Sequence, residues 1–507
     1  MKYIVYKNIA IFVLLLFPTL FFNEISAGTS EGDYDYSHRK RDCEITLVGS
    51  DGQPLTQTLI GITQLSNDFV FGGTIGAEGF DTLGDAYGEW FRSYFDVATP
   101  EKEMNWEYVM NCSEKCNPDF SKADFLVDWL TENNISVYGN NLFRNEKEAL
   151  IPEWTRELQA PAFKQAMQER IDSAMGHFKG KVIRWKLINE ICHGENGSLP
   201  ASGMLQTRSN DPDIYSWIMD EARKKDQNAD FIINDYNLIT SNDLTAADIF
   251  INRVKPICSK FDIIGAEGHF STNMDRSSYE SNINYLAEQL GKPVWLTDVN
   301  FYSDTSLAPD KIEELMRTCF ANPKVGGLCM GSWCRHFMPG SLTNYFVDSL
   351  GHETPVGQRW REVRAEWKSG AGGYTDESGK FSFNGFLGKY QVLNSCFTDT
   401  IFLVPGEGTQ SIEVSFTGSA IRHASADLKT TEISINGITV PINLPARYHK
   451  QLFLNTYSLS GQQLSSSPVN PAGCNNLVTP ASSCCRVFRI ETVDRQPLFT
   501  GKMTAVR

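Results

Sequence analysis

The chain has no long run of lysine and arginine beyond its N-terminus. Its 46 Lys and Arg stand against 61 Asp and Glu, a formal charge of −15 spread along 507 residues. Phosphate backbones need a basic face, so the balance argues against a nucleic-acid partner. A second long apolar run is missing too. The stretch Ile9–Phe22 covers only about 14 residues, short of the ~20 a bilayer-spanning helix needs. Lys2 and Lys7 precede it and Ile25-Ser26-Ala27 follows, the layout of a secretory signal peptide over residues 1–27. A leader of that kind leaves no membrane segment once it is removed. No histidine lies near Cys112 and Cys116, so a local disulfide is favoured over zinc. All 12 cysteines lie beyond residue 27, an even number suited to an oxidising compartment, with Cys319, Cys329 and Cys334 in one cluster and Cys474, Cys484 and Cys485 in another. Sequons at Asn111, Asn134 and Asn196 would be open to glycosylation after secretion.

What is present is enough for large cores. Hydrophobic residues make up 41%, with 31 Phe, 18 Tyr and 10 Trp, which a disordered chain would not carry. The length calls for two or three domains. From about Phe71 to Trp367 short β-rich runs alternate with amphipathic helices; Phe163, Met167, Ile171, Met175 and Phe178 fall at helical spacing just before a strand-like run. Eight strands are expected: Phe71–Ile75, Asp96–Ala98, Ile135–Asn140, Ile183–Asn189, Phe231–Asn234, Asp262–Gly265, Val294–Thr297 and Gly327–Met330. That rhythm reads as an α/β fold, a (β/α)8 TIM barrel over residues 70–368. A doubly wound open sheet is the alternative, but Phe71-Gly-Gly-Thr-Ile-Gly76 matches the Gly-rich phosphate turn poorly. After the Gly-rich linker at 369–373, alternation replaces helical periodicity, so residues 369–507 read as an accessory all-β module. The N-terminal β segment, residues 28–69 with Glu44–Val48, is expected to pair with it, since chain termini often lie close. No paired carboxylates in convincing context occur after residue 374; Tyr448, Phe453 and Tyr457 are read as core more than as sugar platforms.

Chemistry in a barrel lies at the C-terminal strand ends. There stand Trp185-Lys-Leu-Ile-Asn-Glu190, Asn234-Asp-Tyr-Asn237, Glu267-Gly-His269 and Trp295-Leu-Thr-Asp298. One acidic residue at such a place is more often a helix N-cap. Two on different strands of one mouth can act as acid and nucleophile on a glycosidic bond.

With Phe71-Gly-Gly-Thr-Ile-Gly76 and Thr99-Pro-Glu-Lys-Glu-Met-Asn-Trp106 ahead of them, these motifs resemble the catalytic domain of glycoside hydrolase family 10, the endo-β-1,4-xylanases, in the family's order. Segments near Gly373 and Asn384 resemble what trails the barrel in plant-type secreted members. The resemblance implies a retaining mechanism on xylan without metal or cofactor, in a monomer that is secreted, extracellular or in the cell wall. It makes Glu190 the acid/base and Asp298 the nucleophile. His269 would hold Asp298, and Asn189 would bind the sugar 2-hydroxyl. Glu101, Lys102, Asn105, Trp106, Asn140, Tyr236, Glu267 and Trp333 would line the substrate, core packing being the competing role for Trp106 and Trp185.

Several residues depart from the family pattern. Asp298 stands where the family has Glu, and Lys102 and Asn105 look exchanged. Asn140 and Arg144 replace an expected His and Trp, and Met330 takes a Trp position, leaving Trp333 as the nearest aromatic. These changes imply reduced turnover. A β-glycan-binding protein that has lost hydrolysis, and a hydrolase of β-1,4-glucan, are the other readings.

Overall fold

In the computed structural model, side chains and backbone are described for residues 34–415 apart from 195–198, 200–202, 242, 272–273, 303–305, 339 and 394–397; beyond these, the backbone of strands between 428 and 503 is described. The leader reading, the sequon at Asn196, Tyr448 and the pair Cys484 and Cys485 lie outside the described residues, as do the side chains of Phe453, Tyr457 and Cys474.

Two strands come first, β1 (Lys40–Val48) and β2 (Leu59–Asn67). The barrel follows with β3 (Val70–Ile75), β4 (Val97–Pro100), β5 (Ser136–Gly139), a two-residue β6 (Phe143–Arg144), β7 (Val182–Asn189), β8 (Asp230–Asp235), β9 (Ile263–Ser271), β10 (Val294–Tyr302) and β11 (Val325–Met330). All are parallel neighbours in this sheet, β11 pairs β3, and β5 also pairs β7, which closes the ring. The eight-stranded parallel barrel with its outer helices is a TIM barrel, as expected. Its strands fall within a few residues of those read from the sequence. The main difference is that β9 and β10 run on to Ser271 and Tyr302, carrying polar residues that look like loop.

Aromatic residues close one side of the barrel. Trp360 of the last helix, Pro355–Glu366, packs edge-on to Phe71 at 5.8 Å and donates from its indole N–H to the Tyr94 carbonyl at 2.9 Å. Trp367 stacks on Phe320 at 4.0 Å. Such contacts explain why so many aromatics are spent away from the mouth.

The accessory strands are β12 (Gly370–Tyr374), β13 (Lys380–Phe386), β14 (Gly388–Leu393), β15 (Thr398–Leu403) and β16 (Gln410–Ser415). β1 lies between β13 and β16, and β2 between β12 and β14. The N-terminal strands therefore do complete the module, around a core that includes Ile45, Leu47, Ile62, Tyr390 and Val392. Arg39, at the start of β1, fastens the module to the barrel by donating to the carbonyls of Phe320, Asn322 and Val325 at 2.6–2.9 Å.

Cys112 and Cys116 form the expected local disulfide. The grouping of Cys319, Cys329 and Cys334 is corrected: all three are free thiols, as are Cys43, Cys192 and Cys258. Nearness in sequence does not bring them together. Cys319 faces inward from the helix Ala308–Ala321, whereas Cys329 packs in a small cluster with Val70, Tyr138 and Trp295. Among the described residues no helix is long and apolar enough to cross a membrane.

Candidate active site

The end of β7 delivers Asn189 and Glu190. Glu190 has φ of 51°, a left-handed conformation that a non-glycine residue adopts at some cost. The turn behind it is tied to β8, because Asp235 accepts from the Cys192 backbone N–H at 2.7 Å and pairs with His193 at 2.5 Å. His193 in turn stacks on Tyr236 with ring centroids 3.6 Å apart. Tyr236 thus forms part of the wall beside Glu190.

Asn189 is the hub of a buried polar network. Its amide N–H groups reach Glu146 Oε1 at 3.1 Å and Glu190 Oε1 at 3.3 Å, so two carboxylates share one nitrogen. Its oxygen accepts from Asn234 at 3.1 Å. Asn234 also donates to Glu267 Oε1 at 2.7 Å and accepts from Thr297 at 2.5 Å. Burial pushes the Glu190 carboxyl well above the usual carboxylate range, to about 9; the nearby charges of Glu146, Glu267 and Asp235 push the same way, and Arg144 opposes them. A carboxyl that stays protonated at neutral pH is what a general acid requires.

Asp298 is held differently. In β10 the register with β9 runs Thr297 to Glu267 and then Asn300 to His269, so Asp298 and Val299 together face Gly268. This is a β-bulge, and it gives Asp298 a φ of 50°. Its carboxylate meets the Lys186 ammonium at 2.8 Å, and only 3% of the Lys186 side chain is accessible. Burial alone would raise the Asp298 pKa, but the Lys186 charge and hydrogen bond outweigh it and hold the group below the ordinary value.

His269 does not hold Asp298 as the resemblance implied. Its Nε2 pairs with Glu267 Oε2 at 2.9 Å. The physical reason is reach: the shorter Asp298 side chain is engaged by Lys186, and Glu267 lies two residues along the same strand as the ring. Burial opposes protonation of His269, yet its bond to Glu267 raises its pKa on balance.

The remaining expected residues separate into rim, strut and core. Glu101 and Lys102 are at the rim, Lys102 ion-paired with Glu78 at 3.0 Å. They line a cleft of about 590 Å³ together with Tyr108, Arg144 and Arg156. Asn105 is buried, and its oxygen accepts from the Asn141 backbone at 3.0 Å. Asn140 is buried and donates to the Pro100 carbonyl at 3.3 Å. Both shape the connection after β5. Trp106 and Trp333 are corrected as sugar platforms, since each is only 2% accessible. Trp106 packs edge-on to Phe143 at 5.5 Å. Trp333 stacks on Tyr87 at 5.1 Å and donates to the Thr74 carbonyl at 2.7 Å. Trp185 is likewise core.

Sequence reasoning missed Glu146 and Lys186. Lys186 carried a signal: lysine inside an apolar parallel strand is rarely buried unless it is paired. Glu146 carried none, because it lies in an irregular connection after β6. Its Oε1 also accepts two bonds from Arg144, at 3.1 and 2.8 Å.

A parallel barrel whose strand ends carry a glutamate with a raised pKa, a second glutamate and a Lys–Asp pair around one mouth belongs to the class of barrels equipped for acid/base chemistry. More particularly, the chain belongs to glycosyl hydrolase family 10, whose pattern matches residues 63–335. It is 28% identical over 395 residues to anti-sigma-I factor RsgI6 of Acetivibrio thermocellus, covering 78% of this chain and 48% of that protein. It is 24% identical over 359 residues to endo-1,4-beta-xylanase 1 of Arabidopsis thaliana, covering 70% of this chain and 36% of the relative. The chain thus spans about half or less of the length of these relatives. Among solved structures, native xylanase 10B of Thermotoga maritima superposes with a TM-score of 0.53 at 19% identity, over 59% of this chain and 95% of that one. At that identity the likeness speaks for the fold.

Proposed function

We propose that the protein is a secreted glycoside hydrolase that cleaves β-1,4-linked xylan by a retaining, two-carboxylate mechanism. The observation that carries this reading is Glu190, fixed by Asn189 beside further carboxylates at the barrel mouth, where burial pushes its carboxyl up to about 9. Membership of family 10 and the xylanase names of its plant relatives support it. Glu190 protonates the leaving oxygen and later activates water. Asn189 holds Glu190 and lies where a sugar hydroxyl would meet its amide. The exposed sequon residues Asn111 and Asn134 are compatible with passage through a secretory route.

Turnover is expected to be low. Aspartate is one methylene shorter than glutamate, a retreat of roughly 1–1.5 Å, and a misplacement of about 1 Å costs on the order of a hundredfold. Asp298 is moreover bound to Lys186. Release of reducing ends from soluble xylan, compared with retention on insoluble xylan, tests the reading. Retention without release would leave a glycan-binding protein instead.

The acidity of Glu190 gives a second test. Glu146 is its strongest acidic neighbour. Glu146→Gln keeps an acceptor for Asn189 and removes the like charge, so the Glu190 pKa falls. The alkaline limb of kcat/KM should move to lower pH, read from a pH profile on an aryl β-xylobioside. An unmoved limb would detach Glu146 from the acid.

A further inference from the structure

The Lys186–Asp298 pair spans the inside of the barrel. Lys186 stands on β7 and Asp298 on β10, with β8 and β9 between them in the sheet. Among the described residues the Lys186 ammonium has one hydrogen-bond acceptor, Asp298 Oδ2 at 2.8 Å, and Asp298 Oδ1 has no hydrogen bond. The two partners differ in access, with 3% of the Lys186 side chain exposed against 29% of Asp298. One oxygen of Asp298 is thus anchored by a buried group, and the other stays open. His269, the partner that the resemblance implied, is taken by Glu267 at 2.9 Å.

The charge of Lys186 matters as much as its grip. A carboxylate that attacks an anomeric carbon becomes a neutral ester, and it is an anion again once water releases the sugar. A buried ammonium beside it favours the anion at both ends of that cycle over the ester in between. It opposes the first step and helps the second. His269 on β9 and Arg144 on β6 also pull the Asp298 pKa down, but each by less than Lys186. Tyr138 on β5 and Cys329 on β11 feel the Asp298 charge, and burial holds both above their ordinary values. Neither ionises in the acid range where a nucleophilic carboxylate titrates.

We propose that Lys186 is the positioning residue of the nucleophile, holding one oxygen of Asp298 and biasing the cycle against the glycosyl-enzyme. The proposal rests on the retaining-hydrolase reading above, with Asp298 as the nucleophile. In the first step the free Asp298 oxygen bonds to the anomeric carbon while the bond from that carbon to the leaving oxygen breaks. The leaving oxygen takes the Glu190 proton, and Lys186 is left facing an ester. In the second step water attacks the same carbon and gives a proton to Glu190. The ester breaks, and the departing carboxylate re-forms its ion pair with Lys186. Formation of the glycosyl-enzyme is then the slow step, and the intermediate is short-lived.

The test compares the full chain with Lys186→Met on dinitrophenyl β-xylobioside, at a temperature where circular dichroism shows both folded. The acid limb of kcat/KM reports ionisation of the nucleophile. A neighbouring opposite charge lowers an aspartate pKa by about 1–3 pH units, so losing Lys186 should move that limb upward by at least about one. A purely structural role would leave the limb in place, and an unmoved limb overturns the proposal. Should Lys186→Met not fold, Lys186→Gln, neutral but still an N–H donor, carries the same measurement. The parent gives an independent readout. It should release dinitrophenolate without a burst, and a burst overturns the proposal. Trapped as its 2-fluoro-xylobiosyl ester, the parent should also reactivate faster than the variant, on the order of a hundredfold, the size of losing one preorganised donor to a developing charge. Equal reactivation counts against the proposed bias and overturns it. Failure of the parent to release dinitrophenolate, or inversion at the anomeric carbon, removes the retaining-hydrolase reading and the proposal with it.

Discussion

Glu190→Gln is expected to lower kcat/KM on xylan by about a hundredfold to ten-thousandfold, the range that loss of a positioned general acid covers. The variant removes a proton and little else, because glutamine keeps an oxygen where Asn189 donates at 3.3 Å. Folding should therefore be intact, and thermal unfolding should match the parent within about a degree, as for a substitution that changes stability by only a few tenths of a kcal/mol. The loss should depend on the leaving group. Xylan needs its leaving oxygen protonated, whereas dinitrophenolate leaves without help, so the dinitrophenyl xyloside should lose far less at the glycosylation step. The alkaline limb of the rate profile should vanish as well, since Glu190 is the group held protonated up to about 9. An equal loss on both substrates would show that Glu190 positions the sugar and does not donate the proton.

How much of this was readable beforehand follows from where each residue sits. The barrel was legible because its helices repeat apolar residues at helical spacing, and its strands are short apolar runs between them. The ends of β9 and β10 were cut short in the reading because Glu267, His269, Asp298 and Asn300 look like loop residues. In a barrel those same polar residues continue the strand and turn toward the mouth. Glu190 and Asn189 were legible from their place after an apolar strand. Trp106 and Trp333 misled, since a large aromatic near a motif fills space more often than it stacks on sugar. The partner of Asp298 could not be read, because Lys186 and Asp298 are separated by 112 residues and meet only when the barrel closes.

That closure makes the loss of Lys186 costly in stability. Lys186→Met keeps the length and apolar stem of the side chain but leaves the Asp298 carboxylate without its hydrogen-bonded counter-ion, with only the weaker influence of His269 and Arg144 remaining. Breaking a buried ion pair from one side costs about 3–5 kcal/mol, because an uncompensated charge is stranded. The low end applies here, about 3 kcal/mol, since 29% of the Asp298 side chain is accessible. The sign with pH follows from the depressed Asp298 pKa. In the parent, the pair contributes stability above the unfolded carboxyl pKa, and that contribution fades as pH falls through the lower folded value. The parent and Lys186→Met should therefore differ most near neutral pH and converge in acid. Lys186→Met combined with Asp298→Asn removes both charges and should recover most of the loss, because replacing a buried pair by neutral groups is often close to neutral. Urea unfolding of the three variants at pH 7 and in acid measures all of this. A single variant as stable as the parent at neutral pH would mean that Asp298 turns to solvent when Lys186 is removed.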